Sequence, residues 1–496
     1  MTAARHPGDP DREEPVGAVE AVGAVVEGLP GALSLAPSSV VPTIGGELVL
    51  PGGAEESSAE ARDVAADSVR TGLLQAGPLA VAGLVANGAN VVATVLLARL
   101  LTNRGYGSLN QLTGLFLIVS MPGSAVIVAV VRRITAWGAS GDTHVVQRWA
   151  QRWHRRGTVG VLGLAVAVLV AGPSIAHLLN QHDPVGAEAV LSAGAVWVVL
   201  CLDRGLLQGG RRYGALSANL LIEGGIRTAA MLTLVAAGAG VSGAALGMLV
   251  AELATAAHAR WMADRAWAPA TGRALLRALP TPDDAGVDRQ HPVRRDLVAD
   301  LVAALVALSL VAFLQNIDVI ILGRDAPRVS GSYAAVSVAS KAIVFGALVL
   351  GGYLLPEAAI RWRQGGHALR QLTVTLLLLG VPAGVLLALA LGAPHLLLSI
   401  VFSSRYLGAE TAFPDLVVAM TCLSVTVILT MYLLAVGRRW ITVVLLAGAV
   451  AAAVAVALAH GAPHATARAD LEVQAALAVV TAAGFAGVHR RRVRRG

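Results

Sequence analysis

The stretch QNIDVIILGRDAPRVSGSYAAVSVASKAIVF, Gln315 to Phe345, decides the fold class. Two apolar runs flank a short polar turn, and each run carries one charge: Asp318 before the turn and Lys341 after it. Lys341 is the only lysine among the 38 Lys+Arg residues of the chain. Runs of this length and composition read as two hydrocarbon-crossing helices joined end to end. A charge at the bilayer centre costs roughly 3 kcal/mol on insertion scales, so it needs a partner or a wet cavity. At a rise of ~1.5 Å per residue, Asp318 and Lys341 reach comparable depth in an antiparallel pair. An ion pair is therefore available. It reads either as a bridge fixing two helices or as the lining of a polar pathway that exchanges partners during transport.

The rest of the chain agrees with a membrane reading. Of 496 residues, 56% are hydrophobic and 14% charged, and the mean hydropathy is +0.68. A soluble domain carries about a quarter charged residues. The expected fold is an all-α polytopic membrane protein with about 12 transmembrane helices, at 73–99, 111–131, 157–179, 187–209, 214–238, 241–262, 297–323, 332–358, 370–393, 412–436, 440–460 and 470–489. Residues 1–70, rich in Pro, Gly, Glu, Asp and Ser, read as a disordered cytoplasmic tail. The opening MTAARHPGDPDREEP lacks the apolar core of a secretory signal.

The net charge of +7 and pI near 10.1 resemble those of a nucleic-acid binder until the charges are mapped. They flank the spans, so no nucleic-acid partner is expected. Alternate connections hold Arg132, Arg133, the arginines of 148–156, Arg204, Arg211, Arg212, those of 260–295, Arg361, Arg363, Arg370, Arg438, Arg439 and the terminal HRRRVRRG. The other side holds only Arg99, Arg104, Arg324, Arg328, Arg405 and Arg468. By the positive-inside rule both termini are cytoplasmic, which fits a bacterial plasma membrane. On that side, THVVQRWAQRWHRRG (143–157) and RWMADRAWAPATGRALLRALP (260–280) read as tryptophan–arginine helices lying at the headgroup level, or as plain basic loops.

A polar stretch, 263–296, divides the spans six and six, giving an N-terminal lobe over 71–262, a C-terminal lobe over 297–489 and a basic tail over 490–496. LLARLLTNRGYGSL after the first span and ILGRDAPRVSGSYA after the seventh are faintly alike, as duplicated halves of secondary transporters are. In the fifth span LIEGGIRTAAM places Glu223 and Arg227 four apart, in the order that favours an intrahelical ion pair. In the first span Asn87, Asn90 and Thr94 form a polar stripe suited to helix–helix hydrogen bonds or to a solvated cavity. Asp203, Arg204, Glu252 and Glu357 fall near span ends, where snorkelling makes charge cheap. The chain lacks a GxxxxGK[ST] loop, an HExxH pair and a Cys/His cluster, and Cys201 and Cys422 lie within apolar runs. With short connections on the other side as well, neither an enzyme nor a cofactor is expected.

GLVANGANVVATVLLARLLTNRGYGSLNQLTGLFLIVSMPGSAVIVAVVRR resembles the opening of the oligosaccharide and polysaccharide flippases of the multidrug/oligosaccharidyl-lipid/polysaccharide exporter superfamily. The resemblance includes Ala98-Arg99-Leu100-Leu101 and Tyr106-Gly107. DRGLLQGGRRYGALSANLLIEGGIRTAAMLTLV and QNIDVIILGRDAPRVSGSYAAVSVASKAIVFGALVLGGYLLPE are similar to the family's fourth-to-fifth spans and to the start of its second half. The likeness covers roughly residues 70–440. It implies two six-helix lobes around a central cavity, alternating access, and a lipid-linked saccharide as cargo, with membrane lipids and glycan-biosynthesis enzymes as partners. Arg99, Arg227 and Lys341 would then meet the pyrophosphate, beside Asn87 and Asn90, while Asp318 and Glu223 hold those cations or couple an ion. The first span carries an asparagine stripe where the lipid II branch carries arginines, which points to another glycan. Two alternatives are a cation-coupled multidrug exporter of the same superfamily and a non-transporting scaffold for envelope assembly.

Overall fold

The computed structural model describes residues 78–79, 81–138, 143–181, 183–267, 295–363 and 369–493. The expected tail over 1–70, most of the linker over 263–296 and the last three residues lie outside them, as does the side chain of Glu357. Among the described residues every regular element is helical. The elements are α1 (Val81–Leu100), α2 (Asn103–Gly138), α3 (Thr143–Leu178), α4 (Pro184–Gly209), α5 (Tyr213–Leu234), α6 (Gly240–Ala266), α7 (Arg295–Asp325), α8 (Ser330–Arg363), α9 (Leu369–Gly392), short α10 (Pro394–Val401), α11 (Phe413–Ala435), α12 (Ile441–Leu458) and α13 (Pro463–Val493).

Ten helical stretches among these residues are long and apolar enough to cross a membrane. One, Tyr213–Ala266, has 54 residues, about 81 Å of helix against a ~30 Å core. It turns back at Val235–Ala239, where Gly238 (φ 90°) and Gly240 (φ 56°) adopt backbone that a side chain resists, and so supplies α5 and α6. α2 spans the expected second crossing. Each of the twelve expected spans thus falls on a helix.

α1 to α6 form one lobe and α7 to α13 the other. In the first, α4 is the hub, packed against α2, α3 and α6; in the second, α11 packs on α8 and α13, and α12 on α7 and α13. The lobes meet where α2 lies against α7 and α8. Along α2 the close approaches to the second lobe come early. A Cβ on Gly107 would sit 1.9 Å from Ser330 Oγ, and one on Gly114 would sit 3.1 Å from Asn316 Cβ. Farther along, α2 turns to its own lobe: Cβ atoms on Gly205 and Gly209 of α4 would meet Val130 and Ile134 at 2.7 and 3.0 Å. The described close approaches between the lobes therefore include the end that holds the 101–107 turn.

Three expectations need correction. Residues 143–157 do not form a separate interfacial helix; they continue into the third span as one 36-residue helix, because Gly157 does not break an otherwise helix-favouring run. The last helix begins at Pro463, not near 470, because α12 ends in a left-handed turn at His460 and Gly461 and Pro463 then starts a new helix. Between the ninth and tenth spans the chain adds α10 and a tight 3₁₀ turn, Ser404–Ala412, which caps the seam between lobes.

Candidate functional site

The C-terminal lobe gathers its polar side chains from three helices. On α8, Tyr333, Ser337 and Lys341 recur every four residues and so share one face. That face meets Asp318 of α7: Tyr333 and Ser337 donate to Asp318 Oδ2 at 3.1 and 3.3 Å, and Lys341 Nζ stands 3.9 Å from Oδ1. Lys341 also donates to Asn316 Oδ1 at 3.2 Å. α13 brings a second carboxylate, Asp470, within electrostatic range of both Asp318 and Lys341. Gln474, one turn along, donates to Asp470 Oδ1 at 3.1 Å and to the Leu314 carbonyl at 3.4 Å. Asp318 and Asp470 are both 0% exposed. Asp318 Oδ1, Asp470 Oδ2 and Gln474 Oε1 accept no hydrogen bond from the described protein. Two buried carboxyl groups thus share one ammonium, one more acid than the lysine can pair.

The N-terminal lobe holds a second polar network, balanced in charge. Glu223 of α5 accepts from Arg204 of α4 at 2.5 Å and from Arg227, one turn along its own helix. Arg227 reaches on to Glu252 of α6. Asn219 accepts from Arg204 Nε at 2.8 Å and donates to the Thr255 carbonyl at 3.0 Å. Arg204 stacks over Trp197, 5.0 Å from the ring centre, and Arg227 over Phe116 at 5.9 Å. Toward the arginine-rich end, fully buried Asp203 meets His154 of α3 and Arg260 of α6, each at 3.4 Å. Here the snorkelling expectation fails: Asp203, Arg204 and Glu252 are buried, because all three point into the bundle where partners wait.

The seam carries a third set. Asn103 accepts at Oδ1 from the Gly331 and Ser332 amides at 3.0 and 3.2 Å and donates to Ser332 Oγ at 2.7 Å. Tyr406 donates to the Ala98 carbonyl at 2.5 Å, Arg405 to Leu101 at 3.1 Å, and Gln111 to Ile320 at 2.9 Å. Tyr106, fully buried, packs on Tyr406 and Phe402, with ring centres 5.2 and 6.3 Å away.

The residues expected to form one site occupy separate places. Lys341 and Asp318 meet in the second lobe, and Glu223 and Arg227 in the first. Arg99 is exposed near the seam and donates to the Ile400 carbonyl at 3.3 Å. Asn87 and Asn90 are half-buried on α1, which packs against α5 through Ala86 at Gly224 and a bond from Thr228 to the Ala89 carbonyl. Asp470 and Gln474 escaped notice because Asp470 looked like the edge of a span. Their four-residue spacing in an apolar run was the available signal.

No family model and no curated relative matches the chain. Solved structures do match. A multidrug resistance MATE family transporter of the MOP superfamily in its inward-facing conformation aligns over 82% of this chain and 94% of its own, with TM-score 0.62 and 13% identity. The fold is that of the MOP-superfamily transporters. A MOP transporter from Pyrococcus furiosus Vc1 (DSM3638), whose binding pocket is described as reversed in polarity, gives TM-score 0.54 at 15% identity, covering 83% of this chain and 93% of its own. A MATE in complex with MaD3S gives 0.52 at 15%, covering 84% and 94%. Identities this low carry the MOP architecture and leave the cargo open.

Proposed function

We propose that this chain is a cation-coupled exporter that works by alternating access between its two lobes. The observation that carries the reading is the charge imbalance around Lys341. Asp318 and Asp470 together exceed its single positive charge in a dry setting, and an uncompensated buried charge is costly. A proton or a small metal ion from outside restores neutrality, and its arrival or departure changes how tightly α7, α8 and α13 hold together. The seam supports alternation: polar contacts gathered near the 101–107 turn join the lobes there. By the arginine distribution the bonded end near the 101–107 turn faces outward, in a cell membrane with both termini inside. The superposition is also better on the inward-facing MATE than on the other two structures.

The test is export in proteoliposomes of a fluorescent lipophilic cation under an imposed proton or sodium gradient. Wild type is expected to concentrate the dye against its gradient, and Asp318→Asn or Asp470→Asn to lose at least tenfold of the initial rate. Gradient-independent efflux in all three would remove the coupling.

A second reading, translocation of a polyprenyl-linked oligosaccharide, is favoured by Arg99, an exposed cation at the end of α1, the helix that also carries half-buried Asn87 and Asn90, and by the sequence resemblance to the flippases. In that case Arg227 and Lys341, both held by carboxylates, would have to exchange partners to meet a pyrophosphate. Translocation of a lipid-linked oligosaccharide that falls in Arg99→Ala and Lys341→Ala would support it, and loss of dye export with intact translocation would establish it over the first.

A further inference from the structure

The arginine-rich end of the N-terminal lobe carries a surface that neither buried network uses. α3 is 36 residues long, about 54 Å, so it projects well beyond a ~30 Å hydrocarbon core. Its outer face runs Leu169, Val166, Leu162, Val159 at three- and four-residue steps, all 60–64% exposed. Continued at the same spacing, that face reaches Arg155 and Arg152, both exposed. α6 repeats the order. Leu246, Val250 and Leu253 are exposed, Ala257 follows, and then come Trp261, 48% exposed, and Arg265. The Arg265 guanidinium lies 3.7 Å from the Trp261 ring centre. Asp203 fixes both helices to the end of α4 through His154 and Arg260, so the two stripes finish on either side of one anchor. Among the described residues Arg152, Arg155 and Arg265 have no carboxylate partner.

Each stripe has the polarity of a lipid read from tail to head, aliphatic and then cationic, and on α6 Ala257 and Trp261 stand between the two. Indole prefers the glycerol level and guanidinium the phosphate level, and basic residues at a helix end attract anionic headgroups by about 1 kcal/mol each. A soluble anion would have no use for the aliphatic run. We infer that this end of the lobe binds anionic phospholipid along both helices, with Arg152 and Arg155 taking a phosphate at α3, and Arg265 a phosphate and Trp261 the glycerol region at α6. The inference stands apart from the transport reading, since none of these residues belongs to either buried network.

The test uses the purified full chain in detergent, titrated with phosphatidylglycerol, phosphatidylcholine or inorganic phosphate and followed by its unfolding temperature. Phosphatidylglycerol is expected to raise that temperature by several degrees where the other two do not. The Arg152→Gln/Arg155→Gln/Arg265→Gln variant is expected to bind phosphatidylglycerol roughly a hundredfold more weakly. The matching triple lysine variant should keep the shift, which separates lost charge from lost fold. Equal responses to the two lipids, a shift produced by phosphate alone, or a glutamine variant that keeps wild-type affinity would overturn the inference.

Discussion

At Lys341 a positive charge survives deep in an apolar helix because three groups share it: Asp318 at 3.9 Å, Asn316 at 3.2 Å and Asp470 in electrostatic range. Removing one member of such a set leaves the others uncompensated, at a cost of about 3–5 kcal/mol. Lys341→Met is therefore expected to lower stability by that order. Lys341→Met combined with Asp318→Asn and Asp470→Asn should recover most of the loss in a chemical-denaturation series. Additive losses would mean that the three do not act together. In the first lobe, Arg204→Gln strips Glu223 of one partner but leaves Arg227, so a smaller loss of about 2 kcal/mol is expected by the same measurement. Asp318 and Lys341 were legible because each interrupts an apolar run at a similar distance from one turn. Glu252 and Asp203 were not, since a charge near a span end has the same sequence signature whether it snorkels outward or turns into the bundle.

At the level of the elements, the seam depends on backbone approach that only glycine permits. A Cβ on Gly331 would sit 2.0 Å from the Asn103 carbonyl oxygen, as tight as the contact between Gly107 and Ser330. Gly331→Val is expected to leave the helices of each lobe formed but to hold the seam apart. A thiol placed at Ser108 should then react with a maleimide several-fold faster in the valine background than without it. Equal rates would show that the seam does not need this contact. Helix existence was readable from apolar run length alone. Seam geometry was not: α10 and the Ser404–Ala412 turn are too short for a periodic signal, and Asn103, its principal hydrogen-bonding residue, is one polar residue within an ordinary turn. The fifth and sixth expected spans are separate helices because the 54-residue stretch Tyr213–Ala266 carries its own turn signal at Gly238 and Gly240.

For the whole molecule, the two lobes differ in their electrostatic character. The first pairs two arginines with two glutamates and is balanced, so it reads as a brace. The second carries one carboxyl group beyond its lysine, the feature on which the proposed coupling rests. The division into two lobes was legible from the central polar stretch. The asymmetry was hidden, because Asp470 and Lys341 lie 129 residues apart and only the packing of α13 on α7 and α11 brings them together. If ion occupancy at Asp318, Lys341 and Asp470 drives alternation, the lobe separation must follow ion conditions without any cargo present. Spin labels at Arg104 and Arg328, on opposite sides of the seam, allow this distance to be measured by electron–electron double resonance in nanodiscs. The expected result is a short distance that shifts toward a longer population as pH or sodium is varied in wild type, and that stays fixed in Asp318→Asn/Asp470→Asn. A distance that ignores both ions in wild type, or that shifts equally in the variant, would contradict coupling through these carboxylates.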